Sequence, residues 1–447
     1  MIPVRVIIVG AGQVGESIAA DLSGAHDVVI VEQDPDRVEE LNYSLDVLAV
    51  EGDGTNVSVL DDVDVADADM VIASTDDDET NIVICSTVKA VSDAFTIARV
   101  KNTEYLETWR RSTTAFGIDF MVCTYLLAAE SIVRVVGLPA ARDADLFADG
   151  RVEMAEFDVD PGSPIAGQTV AAADTYDSLT FAALVRDEEM LIPTGSTQIQ
   201  ASDRLVVIGT PRSVRSFAGD VAPEDDALSG DVVIIGGSEI GYHVARMLSD
   251  RGISARLIER DPDRARWLAE KLPDTMVMET DATDIEFLER EHIGDAEVVV
   301  AALDSDEKNL LASLLAERVG AERSVAVIDQ ADYVELFEAV GIDVGVNPRE
   351  VVAEEITRFT RDGGAENVAL IENGRAEVLE IEIAADSPLV GEPIRESVQS
   401  LSVDVVIGAI TRGGEYVVPR GETVIESGDH VVLFVEAEHA DEVSSRL

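Results

Sequence analysis

The chain repeats itself, and this duplication restricts its fold more than any other feature of its 447 residues. Four residues of the first half return in the same local context 226 to 228 positions later, as the pairs Gly10 and Gly236, Glu32 and Glu259, Asp53 and Asp281, and Asn81 and Asn309. A second type of segment also recurs, because S-P-I-A-G-Q-T-V from Ser163 corresponds to S-P-L-V-G-E-P-I from Ser387. The sequence therefore predicts a tandem repeat of a two-domain unit.

The first repeat begins with the pattern of a nucleotide-binding strand–helix–strand unit. An apolar run over 4–9 predicts a buried strand, and the glycine motif G-A-G-Q-V-G follows directly at 10–15. In this motif Gly10 permits the sharp turn, Gly12 lets a diphosphate approach the backbone, and Gly15 lets the helix pack closely on the strand. The free amides in the first turn of the helix, together with its dipole, favour such an anion.

A carboxylate closes this unit and bears on the choice of ligand. The second apolar run, 28–31, ends in Glu32, 22 positions after Gly10. An acid at this place accepts hydrogen bonds from ribose hydroxyls and disfavours a 2′-phosphate. We therefore expect NAD, or another nucleotide with an unphosphorylated adenosine ribose, rather than NADP.

Further strands bring more polar residues to the same edge of the sheet. Three more apolar runs between residues 47 and 100 alternate with helical patterns, so we expect an α/β fold with a Rossmann-like, doubly wound parallel sheet of five strands. Ordinary turn chemistry explains Asp53 and Thr75 equally well, whereas a cation at Arg99 suits a phosphate. The candidate cofactor-binding residues of the first repeat are Gly10, Ala11, Gly12, Gln13, Val14, Gly15, Glu32, Asp53, Thr55, Thr75, Asp76 and Arg99.

The second repeat carries an altered version of the glycine motif. It has Ser238 in place of the central glycine and puts Glu239 beside the phosphate position. The position that corresponds to Arg99 falls near Ile328 and Asp329, so the cation is absent. Because a carboxylate near a diphosphate is unfavourable, we expect this site to bind nucleotide more weakly, to bind something else or to be structural. Its candidate residues are Gly236, Gly237, Ser238, Glu239, Ile240, Glu259 and Asp281.

The duplication divides the chain into four predicted domains. Rossmann-like domains are expected at 1–138 and 230–350. Each is followed by a small mixed α+β domain with short strands, at 150–217 and 366–447. The predicted fold class is therefore α/β, with a doubly wound sheet and a small domain in each repeat.

Two linkers and one long apolar helix are also predicted. An acidic stretch at 143–149 and a stretch of small and polar residues at 218–230 are the expected linkers. The helix expected from Cys123 to Val136 carries more apolar surface than one face can bury. A buried core helix explains this surface, and so does packing on a second subunit, which is the interpretation we favour.

The charge of the chain restricts its partners and its setting. There are 89 acidic against 33 basic residues, which gives a net charge of −56. Molar salt shortens the Debye length to about 3 Å and screens such self-repulsion. We therefore interpret the charge as adaptation to a saline cytoplasm, as in halophiles. A chain without a basic face is unsuited to nucleic acid, so no nucleic-acid partner is expected.

Hydropathy and cysteine content give two further expectations. No apolar run reaches the length of about 18 residues that spans a bilayer, and no signal-peptide pattern precedes the first strand, so a cytoplasmic location is expected. Cys85 and Cys123 lie in apolar helical patterns and are expected to be core thiols. No metal site is predicted.

Residues suited to catalysis are missing from the predicted crevice. An NAD-dependent dehydrogenase needs an acid or base near the nicotinamide. None of the five histidines follows a strand end of the first Rossmann unit, and lysine is nearly absent from the crevice. No catalytic residue is therefore predicted, and a dehydrogenase is the less favoured alternative. A nucleotide sensor that acts without a transporter is a third interpretation.

The motifs and the domain order together resemble the TrkA family, the cytosolic subunits of Trk potassium uptake systems, which are built from RCK (KTN) repeats. The resemblance rests on G-A-G-Q-V-G at 10–15, A-D-M-V-I-A-S-T-D-D-D-E-T-N at 68–81, I-A-R-V at 97–100 and G-x-x-I-G at 237–241. It spans essentially the whole chain.

The resemblance implies a regulatory role rather than an enzymatic one. The implied ligand is NAD(H), or ATP or ADP, and the implied partner is a membrane potassium transporter subunit of the Trk type. A homodimer or a homotetrameric ring of Rossmann lobes is also implied. The expected location is cytoplasmic, at the inner face of the plasma membrane through the partner.

Overall fold

The structure is a computed structural model that describes residues 4–24, 26–111, 115–138, 141–159, 161–186, 189–221, 231–360, 365–371, 375–401 and 403–447. It comprises two compact units. One unit contains residues 1–130 and 232–360, and the other contains 131–231 and 361–447. Each unit therefore joins the corresponding parts of the two repeats, so that the Rossmann-like parts form one unit and the small domains form the other.

The first Rossmann-like domain contains a six-stranded parallel sheet of order β3-β2-β1-β4-β5-β6. Its strands are β1 (Arg5–Val9), β2 (Asp27–Glu32), β3 (Leu48–Glu51), β4 (Met70–Ala73), β5 (Phe95–Val100) and β6 (Phe120–Cys123). The helices are α1 (Gln13–Ser23), α2 (Pro35–Ser44), α3 (Val57–Asp62), α4 (Asp78–Val91), α5 (Thr103–Arg111) and α6 (Thr124–Val136).

The central strand of this sheet is buried on both faces. Successive residues of a strand point to opposite faces, and accordingly Ile7 and Ile8 belong to two different cores and are both 0% exposed. The strand order reverses between β1 and β4, because the chain builds outward on one side of β1 and then on the other. The ligand crevice of such a sheet lies at the carboxyl ends of the strands at this point.

The prediction of five strands was one strand short. The sixth strand, β6, passes into α6 without an intervening turn. The apolar run is therefore continuous in sequence, and the helical prediction from Cys123 onward absorbed the end of the strand.

The first small domain is built on an antiparallel sheet of order β10-β9-β11-β8-β7. Its strands are β7 (Ala141–Phe147), β8 (Val152–Asp158), β9 (Leu179–Arg186), β10 (Glu189–Leu191) and β11 (Arg204–Gly209). Two helices, α7 (Val170–Ala173) and α8 (Pro211–Val221), complete it.

Neither predicted linker is wholly a linker. The acidic stretch 143–149 lies mostly within β7, the edge strand of the first small sheet, where Asp143 and Asp145 flank the buried Ala144. The sequence suggested a loop because acidic residues are depleted in strands, yet an edge strand tolerates them on its outer face. The stretch 218–230 begins inside α8, and the remainder of it lies outside the described residues.

The second Rossmann-like domain reproduces the first sheet, with the parallel order β14-β13-β12-β15-β16-β17. Its strands are β12 (Val232–Ile235), β13 (Ala255–Glu259), β14 (Met276–Glu279), β15 (Val298–Ala301), β16 (Arg323–Val327) and β17 (Val344–Val346). The helices are α9 (Glu239–Asp250), α10 (Pro262–Lys271), α11 (Ile285–Arg290), α12 (Asp306–Val319), α13 (Val334–Ala339) and α14 (Pro348–Thr360).

The second small domain repeats the first, with sheet order β18-β19-β22-β20-β21. Its strands are β18 (Ala365–Ile371), β19 (Ala376–Glu382), β20 (Val405–Arg412), β21 (Glu415–Val417) and β22 (His430–Glu436), and its helices are α15 (Ile394–Ser397) and α16 (Ala437–Arg446). The two small domains share an apolar core to which both contribute, for example through Met154, Ile208, Val378 and Phe434.

The long apolar helix α6 is covered within a single chain. Ile132, Val133 and Val136 are at most 1% exposed, and Leu127 packs against a core that also contains residues of α14. The argument from exposed apolar surface for a second subunit is therefore wrong, because the duplicated chain provides its own cover. Among the described residues, no helix combines the length and the apolar character that crossing a bilayer demands.

An ion pair between a partly exposed arginine and a buried aspartate recurs in the two small domains. Arg186 binds both carboxylate oxygens of Asp203 at 2.7 Å, and Arg412 binds both oxygens of Asp429 at 2.7 Å. Each aspartate is 1% exposed. Burial opposes the charged form of Asp429, but hydrogen bonds from Arg412 and from the amide of Glu426 lower the pKa of its carboxyl.

Arg412→Met should destabilise the unit of small domains by about 1–2 kcal/mol at neutral pH, because it leaves a buried carboxylate without its cation, while the partial exposure of Arg412 limits the loss. The folded pKa of Asp429 lies below the unfolded value of about 4. The contribution of the pair is thus present above pH 4 and lost as the pH falls through the folded pKa. Chemical denaturation in molar KCl at pH 7 and pH 3 measures both effects.

The matched control is Arg446→Met, which removes an exposed pair with Glu442 on α16. We expect no measurable change from it, because exposed ion pairs contribute little. Equal losses for the two variants would contradict a special role for the pair with the buried Asp429.

Candidate nucleotide site

The three glycines of the first motif have three different surroundings. Gly10 has a φ of +99°, which side chains rarely adopt, and a Cβ placed there would lie 2.9 Å from the amide nitrogen of Thr75. A Cβ on Gly15 would lie 1.9 Å from the carbonyl oxygen of Gly10. A Cβ on Gly12 would meet no heavy atom within 4 Å. The motif thus uses two glycines to build the turn and leaves open space at the third.

The first turn of α1 faces this open space without a cap. Gly12 is the N-cap residue and supplies no side-chain acceptor, so the amides of the first turn are available to an anion. The amide of Ala11, which was also predicted to contact the ligand, is not available to an anion. The N–H of Ala11 donates to Oε2 of Glu32 at 2.7 Å, so it orients the carboxylate rather than facing a phosphate.

Glu32 is held firmly at the carboxyl end of β2. In addition to the Ala11 amide on Oε2, its Oε1 accepts the backbone N–H groups of Gln33 at 2.6 Å and Asp34 at 3.0 Å. A carboxylate fixed by three amides keeps its remaining lone pairs in one orientation. This arrangement suits the hydroxyls of a ribose.

A cavity of about 550 Å³ lies at the strand ends and collects most of the predicted residues. This volume falls in the range of small-molecule sites. The predicted residues that line it are Gly10, Ala11, Gly12, Gln13, Val14, Glu32, Asp53, Thr75, Asp76 and Arg99. Gly15 and Thr55 do not line the cavity. Gly15 packs against Gly10, and Thr55 donates a hydrogen bond to Asp53, and both of these neighbours line it.

Thr55 supports Asp53 from within the turn after β3. The Oδ1 atom of Asp53 accepts the amide of Thr55 at 3.0 Å and its hydroxyl at 2.7 Å, and these bonds lower the pKa of Asp53. Asp281 makes the same turn with Thr283. Turn chemistry therefore accounts for Thr55, while Asp53 also faces the cavity.

Asn81 fixes the loop that follows β4. Its Oδ1 accepts the amide of Thr75 at 2.9 Å and the hydroxyl of Thr75 at 2.6 Å, and its Nδ2 donates to the carbonyl of Arg99 at 2.8 Å. One buried side chain thus connects the ends of β4 and β5, the two strands that carry Thr75 and Arg99 to the cavity.

Arg99 is a buried cation at the far side of the cavity. Its side chain is 3% exposed, its Nε donates to Oγ1 of Thr124 at 3.0 Å, and its Nη1 lies 3.4 Å from Oδ1 of Asp76. Burial lowers the pKa of Arg99, and the charge of Asp76 opposes this. Although burial favours the neutral acid, Lys101 and Arg99 lower the pKa of Asp76.

Two further cations line the cavity and were missed from the sequence. Arg37 donates to the carbonyl of Ala11 at 2.9 Å and to Oε2 of Glu16 at 2.7 Å. It belongs to D-P-D-R at 34–37, which returns at 261–264, so the repeat itself was a usable signal. The other is Arg349 of the second repeat, whose guanidinium donates to Oε1 of Gln13. No local pattern marks it, because α14 reaches the site only through tertiary packing.

The corresponding place in the second repeat is built differently. The hydroxyl of Ser238 accepts the amide of Gly241 at 3.2 Å and so caps α9 from within. Glu239 pairs with Arg264 at 3.0 Å. The amide of Gly237 donates to Glu259 at 2.9 Å, as Ala11 does to Glu32, and Ile240 is buried. The fold of the motif is thus kept while its first turn is closed.

The counterpart of Arg99 is Val327, not the nearby Ile328 or Asp329. Asn309 donates to the carbonyl of Val327 at 2.8 Å, just as Asn81 donates to that of Arg99. The sequence comparison was out of register by one or two residues, because it did not carry the offset of 228 that relates Asn81 to Asn309 on to Arg99. The prediction that the second site lacks a cation at the position of Arg99 still holds, because Val327 is uncharged.

Comparisons with known proteins agree with the fold and with the duplication. The TrkA-N domain matches residues 6–124 and 232–348, and the TrkA-C domain matches 154–219 and 378–447. Among solved structures, the chain is similar to the GsuK channel bound to NAD, with a TM-score of 0.62, 22% identity, and coverage of 99% of this chain and 79% of that one. At this identity the likeness establishes the fold.

Curated relatives cover the chain almost from end to end. Trk system potassium uptake protein TrkA homolog 1 of Methanosarcina mazei is 36% identical over 98% of this chain and 99% of its own length. The TrkA homolog of Archaeoglobus fulgidus is 36% identical over 98% and 99%, and TrkA of Halomonas elongata is 33% identical over 96% and 95%. Since both domain families match in each repeat and these relatives span nearly the full length, the chain belongs to the TrkA family.

Proposed function

We propose that this chain is the cytoplasmic regulatory subunit of a potassium uptake transporter, and that its first repeat binds NAD(H), or ATP or ADP. The observation that carries the ligand proposal is the cavity at the first strand ends. It combines an uncapped helix terminus with open space at Gly12, the fixed carboxylate of Glu32 and the buried cation of Arg99.

The relatives and the fold support the same proposal. The curated relatives are named for potassium uptake. The GsuK channel, which shares the fold, was solved bound to NAD. A regulatory subunit binds a ligand and a membrane partner and does not need to catalyse a reaction. A role in gating therefore fits both the names of the relatives and the nucleotide-binding fold.

A binding role also fits the chemistry of the cavity better than a dehydrogenase does. No histidine belongs to the described lining, and the carboxylates of Glu32 and Asp53 already accept hydrogen bonds from backbone amides. Asp76 is paired with Arg99 and Lys101. Proton transfer to a substrate needs a group that is free to exchange its proton, and these groups are engaged as acceptors.

Regulation would follow from a difference in ligand contacts between two arrangements of the assembly. A nucleotide that makes better contacts in one arrangement shifts the population toward it and so acts on the membrane subunit. We propose a homodimer or a homotetrameric ring at the inner face of the plasma membrane. The second repeat, with its capped helix and Glu239, binds nucleotide more weakly or serves as a scaffold.

Gly12→Asp should strongly weaken the tightest nucleotide-binding event. The new side chain enters space that no protein atom occupies, so the fold is retained, but its charge lies beside the bound diphosphate. We expect affinity for NADH and ADP to fall about tenfold or more. Calorimetric titration of the full-length protein in molar KCl measures this directly.

Gly24→Asp is the matched control, since it adds the same charge in open space at the other end of α1. It should bind nucleotide as the wild type does. If Gly12→Asp also binds normally, the main site lies elsewhere, with the second repeat as the first place to test.

Glu32 should set the preference for an unphosphorylated ribose. We expect NADP(H) to bind at least about tenfold more weakly than NAD(H), because a 2′-phosphate would approach the fixed carboxylate. Glu32→Gln retains an acceptor for the Ala11 amide and should reduce the difference in affinity between NAD(H) and NADP(H). Glu39→Gln, at an exposed position of α2, should leave the ratio of the affinities for NAD(H) and NADP(H) unchanged. Equal binding of both cofactors to the wild type would contradict this assignment.

The proposed partnership with a membrane transporter can be tested by co-purification from membranes. The tagged chain, purified from the membrane fraction of its own cells, should retain a polytopic membrane protein. Potassium flux of that protein in liposomes should then respond to NADH or ATP when the chain is added, and not when Gly12→Asp is added. Recovery without any membrane protein at high and low salt would favour a nucleotide sensor that acts alone.

A further inference from the structure

We propose that Arg349 of the second repeat is a specificity-determining residue of the nucleotide site in the first repeat, where it favours ligands with more phosphate charge. This inference rests on the proposed function of that site. The guanidinium of Arg349 lines the cavity and donates to the side chain of Gln13. Gln13 follows Gly12 directly, so the cation stands beside the helix terminus at which the diphosphate is expected.

Packing holds Arg349 in place. The side chain of Asn347 caps α14 by accepting the amides of Arg349 at 2.8 Å and Glu350 at 3.1 Å. One turn later, Val352, Ala353 and Ile356 enter the core that contains the buried face of α1. Since α14 and α1 share a core, burial fixes the backbone of Arg349 relative to the first turn of α1, and the exposed bond to Gln13 directs its guanidinium.

The three arginines that line the cavity differ in how much of their charge is engaged. Arg37 is paired with Glu16 and Glu40, and Arg99 lies 3.4 Å from Asp76. Within the described residues, no carboxylate lies within ion-pair distance of Arg349, and its one side-chain hydrogen bond goes to a neutral amide. A guanidinium carries five N–H donors. Of the three arginines, Arg349 therefore has the most donors left for a phosphate, and beyond ion-pair distance its charge also helps to lower the pKa of Asp76.

The two repeats differ at this position. Val122 pairs with Arg99 in the first sheet, and Val346 pairs with Val327 in the second, so the residue of α6 that corresponds to Arg349 is Tyr125. Burial, and then the charges of Asp329, Asp78 and Glu239, raise the pKa of Tyr125. The place of the arginine is thus taken by a phenol that lies near Arg99 as well as near these acids. Among the described residues, Arg349 lines the first site, and its counterpart in the first repeat, Tyr125, carries no such charge.

A cation that approaches from the other repeat has two consequences. Its attraction grows with the charge of the phosphates, so ATP should gain more from it than ADP, and ADP more than NAD. A phosphate that binds both the first turn of α1 and Arg349 also ties the two Rossmann-like domains together. The occupied site would then stabilise the contact between α1 and α14, which joins the repeats.

The test is calorimetric titration of the full-length protein with NAD, ADP and ATP in molar KCl. For Arg349→Gln we expect affinity for ATP to fall about tenfold, as for loss of a charge-assisted hydrogen bond, and affinity for NAD to fall less. Arg349→Lys should retain part of the preference, and the thermal midpoint without ligand should not change. Arg266→Gln, an exposed arginine paired with Asp263, is the charge-matched control.

Hydrogen exchange gives an independent measurement. ATP should slow exchange of the amides of 349–356 in the wild type and not in Arg349→Gln. Equal affinity of wild type and Arg349→Gln for all three nucleotides would overturn the inference while leaving the proposed function intact. Failure of the wild type to bind any nucleotide would overturn both.

Discussion

The close approach of α1 to the turn after β1 is the contact on which the rest of the site depends. A Cβ on Gly15 would lie 1.9 Å from the carbonyl oxygen of Gly10, so only a glycine there lets the helix begin directly above the strand. This placement aims the free amides of the first turn into the crevice where the strand order reverses. The same geometry recurs at Gly241 and Gly236, at 2.1 Å, which shows that the fold needs it whether or not a ligand is bound.

Duplication separates what the fold needs from what the ligand needs. Both repeats keep the close glycine contact, the carboxylate that accepts the next amide, the turn after the third strand and the asparagine between two strand ends. They differ where a ligand would touch, since Ser238 caps its own helix and Val327 replaces a buried arginine. Features that survive in both copies are therefore needed by the fold, even where one of them, such as the carboxylate of Glu32, can also contact a ligand. Those confined to the first copy, such as the open space at Gly12, are the ones to assign to binding alone.

Sequence reasoning recovered what short spacings determine. The turn at Gly10, the close contact at Gly15 and the position of Glu32 follow from residues within about 30 positions, where chain geometry leaves little freedom. The tandem repeat follows from the return of these local patterns 226 to 228 positions later. It failed where tertiary structure decides. The strand β6 was missed because it joins α6 without a turn. The acidic stretch of β7 was predicted as a loop because acidic residues are rare in strands, although an edge strand tolerates them. Arg349 was out of reach, since it is 336 residues from its contact at Gln13.

The net charge of −56 gives the few cations of the cavity a particular weight. At low salt, a polyanion repels a nucleotide from a distance, and no local arrangement of arginines removes that field. In molar salt the Debye length is about 3 Å, so only groups in contact with the ligand act on it. Affinity must then come from the helix amides and from arginines that touch the phosphates. A buried cation such as Arg99 retains its effect because salt screens it least, and Arg349 would act through direct contact with a phosphate.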